Sequence, residues 1–217
     1  MASEQNSSEF SLTAWKQCQD QQIRDLLFDQ IPGRVINLLE ILNGSLFSTE
    51  HYDEFLADFR KLRKCEVPYP VFSNRTNDAC SRYAELLKKN PLFSPNQRVS
   101  AMSAILEPIL TEAGETFERI SNWIETLKPE VSSGNNFGVS VQEEVLSEAS
   151  EMCYASNKML ASLRKYHPKR SALLLFLVKY PFVEDLKEAI YEMDESEFWS
   201  LRFKLLAVID NYVSQLN

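Results

Sequence analysis

Glycine is scarce in this sequence, with 5 residues among 217. Most all-β and dinucleotide-binding folds need more glycine for turns and phosphate-binding loops, so the scarcity argues against both classes. Long apolar runs are also missing, since the longest, Ala172–Val178, is far short of the roughly twenty residues that a membrane-spanning helix needs. The N-terminus is polar and lacks the apolar core of a secretory signal. These absences favour a soluble, all-helical protein.

Positive charge is in deficit as well. The chain has 31 acidic and 23 basic residues and a formal net charge of -8. Nucleic acids and anionic membranes need net basic surfaces, so we predict that neither is a partner. The cysteines are scattered without a C-x-x-C pair, which is typical of reduced thiols inside the cell. They are Cys18, Cys65, Cys80 and Cys153.

Catalytic and cofactor signatures are missing too. The sequence has no G-x-x-x-x-G-K-S/T, G-x-G-x-x-G, H-E-x-x-H or G-x-S-x-G motif. Neither histidine, His51 or His167, follows a glutamate at the Glu-x-x-His spacing of a di-iron helical bundle. The acidic runs Glu143–Glu144 and Glu192–Glu195 are interpreted as solvated helix faces. We therefore predict no enzyme, no cofactor and no metal site.

Helical periodicity is what the sequence does contain. It predicts a single all-α domain, 1–217, folded as an elongated up-down four-helix bundle. Pro32-Gly33 should kink or briefly break the first helix, and His167-Pro168 should bend the third. The predicted segments are helix 1 at about 10–43, a linker with short helices at 44–94, helix 2 at about 95–128, helix 3 at about 139–178 and helix 4 at about 183–217. Rod-like bundles of this kind often associate side by side.

The second helix has the clearest pattern. Ser94 is the predicted N-cap, with Pro95 in the first turn and Gln97 placed to complete a capping box. Apolar residues then recur at spacings of three and four, which predicts one buried face. They are Met102, Leu106, Ile109, Ala113, Phe117, Ile120, Ile124 and Leu127.

The segment between helices 2 and 3, residues 129–138, is a shaped loop. Gly134 and Gly138 enclose an asparagine pair, and both residue types tolerate positive φ. Taken alone, such a loop is either a plain turn between two helices or a rigid element for contacting a partner.

Residues 134–145, GNNFGVSVQEEV, resemble the activation loop and third-helix start of the 11S proteasome activators, the REG family. The similarity continues without a gap from Pro95 to the end of the chain, and more loosely at Ile31-Pro32 and Pro68–Pro70. Matching positions include Pro95, Asn96, Pro108, Trp123, Pro129, Lys165, Tyr166, Pro181, Val183, Asp185, Asp194, Glu195, Glu197, Leu201 and Arg202.

The resemblance implies a four-helix protomer that assembles into a heptameric ring, with itself or with related subunits. Such a ring caps the α-subunit ring of the 20S core proteasome without ATP, in the cytoplasm or the nucleus. Its activation loops open the core's gate, so that peptides are hydrolysed faster. By this resemblance the activation loop is Gly134, Asn135, Asn136, Phe137 and Gly138, and Asn135 is the most sensitive position.

The C-terminus departs from the family pattern. Family members continue beyond the position of Asn217 into a tail that docks on the core, and here Asn217 itself is the one candidate for that contact. We expect either a shortened chain or weaker binding by this route. The alternative interpretation is a ring-forming or scaffold homologue that lacks gate-opening activity because the tail is missing.

Overall fold

The computed structural model describes residues 2–50, 52–63, 66–67, 84–129 and 138–216, which form helices and connecting turns with no strand. The prediction of an all-α protein is therefore confirmed for this part of the chain. The α-helices are α1 (Ala2–Asp25), α2 (Ile31–Asn43), α3 (Tyr52–Arg63), α4 (84–89), α5 (Gln97–Leu127), α6 (Val139–Leu163), α7 (Tyr166–Lys179) and α8 (Glu184–Ser214). A π-helical turn, Leu26–Gln30, joins α1 to α2, and a 3-10 turn, Pro91–Phe93, precedes α5.

The N-terminal helix begins at Ala2, where the sequence suggested a tail up to residue 9. The interruption expected near Pro32-Gly33 is present as the π turn just before Pro32, in which the N–H of Ile31 donates to the carbonyl of Leu26. Proline lacks an N–H and crowds the carbonyl four residues earlier, so a wider turn at this point lets the helix continue through Pro32.

The connection between α2 and α5 has the short helices that the sequence suggested. Asn43 ends α2, and the N–H of Gly44 closes the turn on the carbonyl of Ile41. Helix α3 matches the segment expected at 50–64. The second short helix, expected at 78–89, is helical over 84–89, and its earlier part lies outside the described residues.

The start of α5 corrects the predicted cap. Asn96 is the N-cap, because its side-chain Oδ1 accepts from the N–H of Val99 at 3.1 Å and its carbonyl accepts from Ser100. Ser94 instead ends the 3-10 turn, where its N–H donates to the carbonyl of Pro91. The residue before Pro95 is held in extended backbone, which keeps Ser94 outside the helix.

The third predicted helix is two helices. Helix α6 ends at Leu163 and α7 begins at Tyr166. The break falls at Arg164, four residues before Pro168, because proline has no N–H to donate to the carbonyl at that position. Helix α8 closes the chain as predicted, from Glu184 to Ser214.

The helices contribute to two compact units, each with its own buried core. The first unit comprises 1–40, 108–160 and 206–217, and the second comprises 41–107 and 161–205. The core of the first includes Ile23, Leu26, Ile31, Leu38, Leu110, Ala113, Phe117, Ile120, Ile124, Ala149, Val208 and Tyr212. The core of the second includes Phe47, Phe55, Leu92, Val99, Met102, Leu106, Tyr166, Leu177, Ile190, Phe198, Leu201 and Leu205. The expectation of a single domain stays a prediction.

The apolar face of α5 is largely the predicted one. Of the eight predicted positions, six are buried. The differences are Leu110, which is buried in place of the half-buried Ile109, and Leu127, which is exposed at the last turn.

Candidate functional site

Gly138 is the member of the predicted activation loop that the structure describes. Its φ is +81°, a backbone conformation that residues with a Cβ rarely adopt. Its carbonyl accepts from the N–H of Gln142 at 3.0 Å, so Gly138 is the residue from which α6 begins. A Cβ at Gly138 would meet nothing within 4 Å. The backbone conformation, rather than crowding, is therefore what requires glycine at this position.

The other side of the loop is the end of α5. The helix stops at Leu127, and Pro129 follows. The C-terminal part of α5 is fixed to α1, because the indole Nε1 of Trp123 donates to Oδ1 of Asp20 at 2.6 Å. The two helix ends that flank residues 130–137 are therefore both described by the structure.

Four of the predicted loop residues, Gly134, Asn135, Asn136 and Phe137, lie outside the described residues. Asn217, the candidate docking residue, lies outside them as well. Their proposed roles stay predictions. The structure brings no further predicted site residue next to Gly138 within the part of the chain that it describes.

A cleft lies beside this end of the first unit, between α1 and α5. Its volume is about 400 Å³. Its lining is mixed, with two indoles, two cationic side chains and several amides or hydroxyls. The lining residues are Trp15, Lys16, Gln19, Asp20, Arg119, Asn122, Trp123, Thr126 and Leu127.

The second unit contains a buried ion pair that the sequence analysis missed. Arg170 Nε donates to both carboxylate oxygens of Asp194, at 2.9 and 3.2 Å, and Tyr166 Oη donates to the same carboxylate at 2.6 Å. Arg170 also donates to the carbonyl of Leu92 at 3.1 Å. Burial raises the pKa of the Tyr166 phenol, and the Asp194 carboxylate raises it further. This cluster ties α7, α8 and the 3-10 turn together.

The acidic run at 192–195 is therefore only partly a solvated face. Asp194 is buried in the ion pair, and Glu195 accepts a short hydrogen bond from Tyr52. Glu143 and Glu144 are exposed, as interpreted. A run of acidic residues does not show which of them pairs with a buried basic residue. The partner of Asp194 is Arg170, which lies 24 residues earlier in the sequence.

Arg98 organises a second cluster in this unit. Its guanidinium donates to the carbonyls of Leu46 and Ser45 and lies over the rings of Phe55 and Phe198, at 5.4 and 5.0 Å from their centroids. Helix α5 is thereby fixed to the segment that leaves α2. Nε and Nη2 of Arg98 are thus used to hold these backbone carbonyls.

Among the residues that the structure describes, no three His, Cys, Asp or Glu side chains come together to hold a metal ion. Cys18 and Cys153 are free thiols, and Cys65 and Cys80 lie outside the described residues. Burial and the neighbouring Glu118 raise the pKa of the Cys153 thiol, which disfavours the reactive thiolate. In the same part of the chain, no helix is long and apolar enough to cross a membrane.

Comparison with known proteins places these features in a family. The family model described as proteasome activator PA28, C-terminal, matches residues 92–217. Human proteasome activator complex subunit 3 is 29% identical over 149 residues, which cover 67% of this chain and 59% of that protein. Bovine proteasome activator complex subunit 2 is 23% identical over 189 residues, with coverage of 86% and 76%. The chain thus spans 59% of the length of the human relative.

A solved structure shares the fold. The crystal structure of the 11S subunit of the Plasmodium falciparum proteasome, PA28, superposes with a TM-score of 0.66 at 19% identity, over 97% of this chain and 89% of that one. At this identity the likeness concerns the fold alone. The family match covers more than half of the chain, including the described residue Gly138 and the helices on both sides of the loop. The resemblance inferred from the loop and the helix spacing is confirmed, and the chain belongs to the PA28 family of proteasome activators.

Proposed function

We propose that this chain is a non-catalytic regulator that caps the 20S core proteasome and opens its gate without ATP, so that the core hydrolyses peptides faster. The single observation that carries the proposal is the family match over residues 92–217, which encloses the whole segment 134–138. Relatives in this family are named as subunits of a proteasome activator complex. The peptide bonds would be cleaved by the core's own active sites, so the chain needs no catalytic group of its own.

The proposed gate-opening element is the activation loop Gly134, Asn135, Asn136, Phe137 and Gly138. Gly138 supports this role, because its positive φ turns the chain sharply into α6. The bond between Trp123 and Asp20 supports it from the other side by fixing the end of α5. Asparagine side chains can hydrogen-bond backbone groups of the loop or of a partner, so Asn135 and Asn136 are the proposed contacts with the core's α subunits.

The proposed working form is a ring, with seven subunits by the family resemblance. Single copies of the described part expose several large apolar side chains, including Phe28, Ile36, Tyr154 and Phe203. Proteins that remain monomeric rarely expose apolar surface in contiguous patches. A ring would cover part of this surface and present several activation loops to the core at once, which strengthens binding through multivalency.

The proposal is tested by hydrolysis of a fluorogenic peptide with latent 20S core proteasome. We expect the wild-type chain to raise the rate about tenfold, which corresponds to about 1.4 kcal/mol of the apparent barrier. Asn135→Tyr should abolish the stimulation while binding to the core, measured by co-sedimentation, is retained. The matched control is Asn37→Tyr, which places the same side chain on the exposed surface of α2 and should stimulate like wild type.

Three results would contradict the proposal at different levels. A chain that does not bind the core contradicts capping. A chain that binds without stimulation contradicts gate opening. Full stimulation by Asn135→Tyr contradicts the assignment of the loop while leaving the activator function intact.

A further inference from the structure

The end of α5 nearest to the proposed activation loop is separated from α1 by the cleft described above. The cleft extends to Leu127, the last residue of α5, and to Trp15 on α1, and these side chains are 41% and 51% exposed. Ile124 is the last buried residue of the helix, and residues 125–127 are all exposed. The final turn of α5 therefore has little apolar packing to hold it in place.

The backbone of this final turn is also weakly closed. The N–H of Lys128 donates to the carbonyl of Glu125 at 3.4 Å, which is long for a bond between an amide and a carbonyl. The last carbonyls of a helix have no partner within the helix, so the end of a helix frays unless other contacts hold it. The direction in which α5 ends thus depends on contacts made by side chains.

A hydrogen bond across the cleft provides such a contact. Asp20 and Trp123 both line the cleft, and Nε1 of Trp123 donates to Oδ1 of Asp20 at 2.6 Å. Both residues are half-buried, and a hydrogen bond to a carboxylate is roughly twice as strong as one between neutral groups. An indole has a single donor, so this bond sets the orientation of the Trp123 ring.

Trp123 is connected in turn to the final turn of the helix. Thr126 Oγ1 donates to the carbonyl of Trp123 at 2.7 Å, and Trp123 lies about one helical turn, or about 6 Å along the axis, before Leu127. Asp20 therefore acts on the end of α5 through Trp123, although it lies on a different helix and more than a hundred residues earlier in the sequence.

We propose that Asp20 is a positioning residue for gate opening: by holding Trp123, it fixes the direction in which α5 presents the activation loop to the core. A functional element acts only when the residues that support it hold it in the productive geometry. The inference rests on the proposed function and extends it to α1, which lies outside residues 92–217 of the family match. Loss of the bond should therefore weaken gate opening more than binding to the core.

The first test titrates the full chain into latent 20S core and measures fluorogenic peptide hydrolysis. Asp20→Leu removes the acceptor and should lower the maximal stimulation about fivefold, with the half-maximal concentration unchanged. Asp20→Asn keeps an acceptor oxygen and should restore most of the stimulation. Trp123→Phe removes the donor and should match Asp20→Leu, and the double variant should lose no more than either alone. The matched control is Asp25→Leu, because Asp25 bonds to Gln21 within α1 and should not affect stimulation.

The second test measures amide hydrogen exchange in the free chain and does not use the proteasome. Asp20→Leu should speed exchange about tenfold at residues 124–128, because the end of α5 opens more often without the bond. Exchange at residues 150–157 of α6 should stay at the wild-type rate. A general loss of stability would instead speed exchange in both helices, so this comparison separates positioning from a purely structural role.

Several results would overturn the inference. Full stimulation by Asp20→Leu would show that the bond does not position the loop. A higher half-maximal concentration with unchanged maximal stimulation would assign Asp20 to binding. Equal acceleration of exchange in α5 and α6 would show a role in overall stability. A wild-type chain that does not stimulate the core contradicts gate opening instead, and the exchange rates then decide by themselves whether Asp20 holds the end of α5.

Discussion

At the scale of single residues, the buried pair of Arg170 and Asp194 joins α7 to α8 in the second unit. Asp194 is 1% exposed and takes hydrogen bonds from Arg170 and Tyr166. Removing Arg170 leaves the buried Asp194 carboxylate without its cation. The loss of stability is then larger than the net stabilisation that the ion pair provides. We predict that Arg170→Met lowers the free energy of unfolding by about 3–5 kcal/mol, measured by urea denaturation.

The matched control for this prediction is an exposed pair between Arg164, in the turn after α6, and Glu107 of α5. Arg164 and Glu107 meet at 2.9 Å with both side chains largely in solvent. Arg164→Met should lower the free energy of unfolding by less than about 1 kcal/mol. If Arg170→Met and Arg164→Met lowered the free energy of unfolding by the same amount, the burial of Asp194 would not be the cause of the loss.

The Tyr166 phenol makes stability depend on alkaline pH. Burial and Asp194 raise its pKa in the folded chain, whereas the unfolded phenol ionises near pH 10. The folded state therefore holds a proton that the unfolded state releases, so the free energy of unfolding falls as pH rises above about 10, by up to about 1.4 kcal/mol per pH unit for this group. Tyr166→Phe should give a shallower fall between about pH 9.5 and 11 in urea titrations. Tyr154→Phe, at a largely exposed side chain, should keep the wild-type slope.

Gly138 and Gly33 form a natural comparison of two glycines. Neither has an atom within 4 Å of an added Cβ, but only Gly138 has positive φ. We predict that Gly138→Ala lowers the free energy of unfolding by about 1–2 kcal/mol through backbone strain. Gly33→Ala, in helix α2, should instead raise it by up to about 1 kcal/mol. Thermal or urea unfolding measures both, and a loss of the same size in both variants would contradict the assigned role of φ at Gly138.

At the scale of the elements, the start of α5 depends on Asn96. Its side chain satisfies the N–H of Val99, one of the donors that a helix leaves unpaired at its first turn. We predict that Asn96→Ala lowers the free energy of unfolding by about 1 kcal/mol in urea denaturation. Ser94→Ala should cost less than about 0.5 kcal/mol, because Ser94 does not cap the helix. A larger loss of stability for Ser94→Ala than for Asn96→Ala would contradict this assignment and favour Ser94, the N-cap predicted from the sequence.

The sequence predicts elements best where one rule acts alone. The apolar stripe of α5 is periodic over its whole length, and Phe117 and Ile124 are buried as that pattern predicts. Pro168 signals an interruption, but only the hydrogen-bond rule applied four residues back locates it at Arg164. The start of the first helix at Ala2 could not be predicted from apolar periodicity, because its first residues are polar and show no apolar period.

The sequence predicts less well where partners are far apart in the chain. Arg170 lies in an apolar and basic stretch, and its carboxylate partner is on the next helix. Asn90, whose side chain caps the 3-10 turn and reaches the carbonyl of Glu66, belongs to the same class. Such contacts depend on how helices pack, which no local rule supplies. For the candidate site, glycine and asparagine spacing predicts a shaped loop, whereas its assignment as an activation loop depends on the resemblance.

At the scale of the whole molecule, the match to the PA28 family model covers residues 92–217 and includes both helices that flank the loop, α5 and α6. The proposed gate opening belongs to this matched part of the chain.

The most direct test of gate opening compares two forms of the 20S core: the latent core, and a core whose α-subunit gate has been removed by truncating the segments that close it. If the chain acts by opening the gate, it should stimulate fluorogenic peptide hydrolysis by the latent core about tenfold, a change of about 1.4 kcal/mol. It should leave the rate of the gateless core unchanged, because entry no longer limits that rate. Equal stimulation of both cores would contradict the account, since the chain would then act on the core's catalytic sites rather than on its gate.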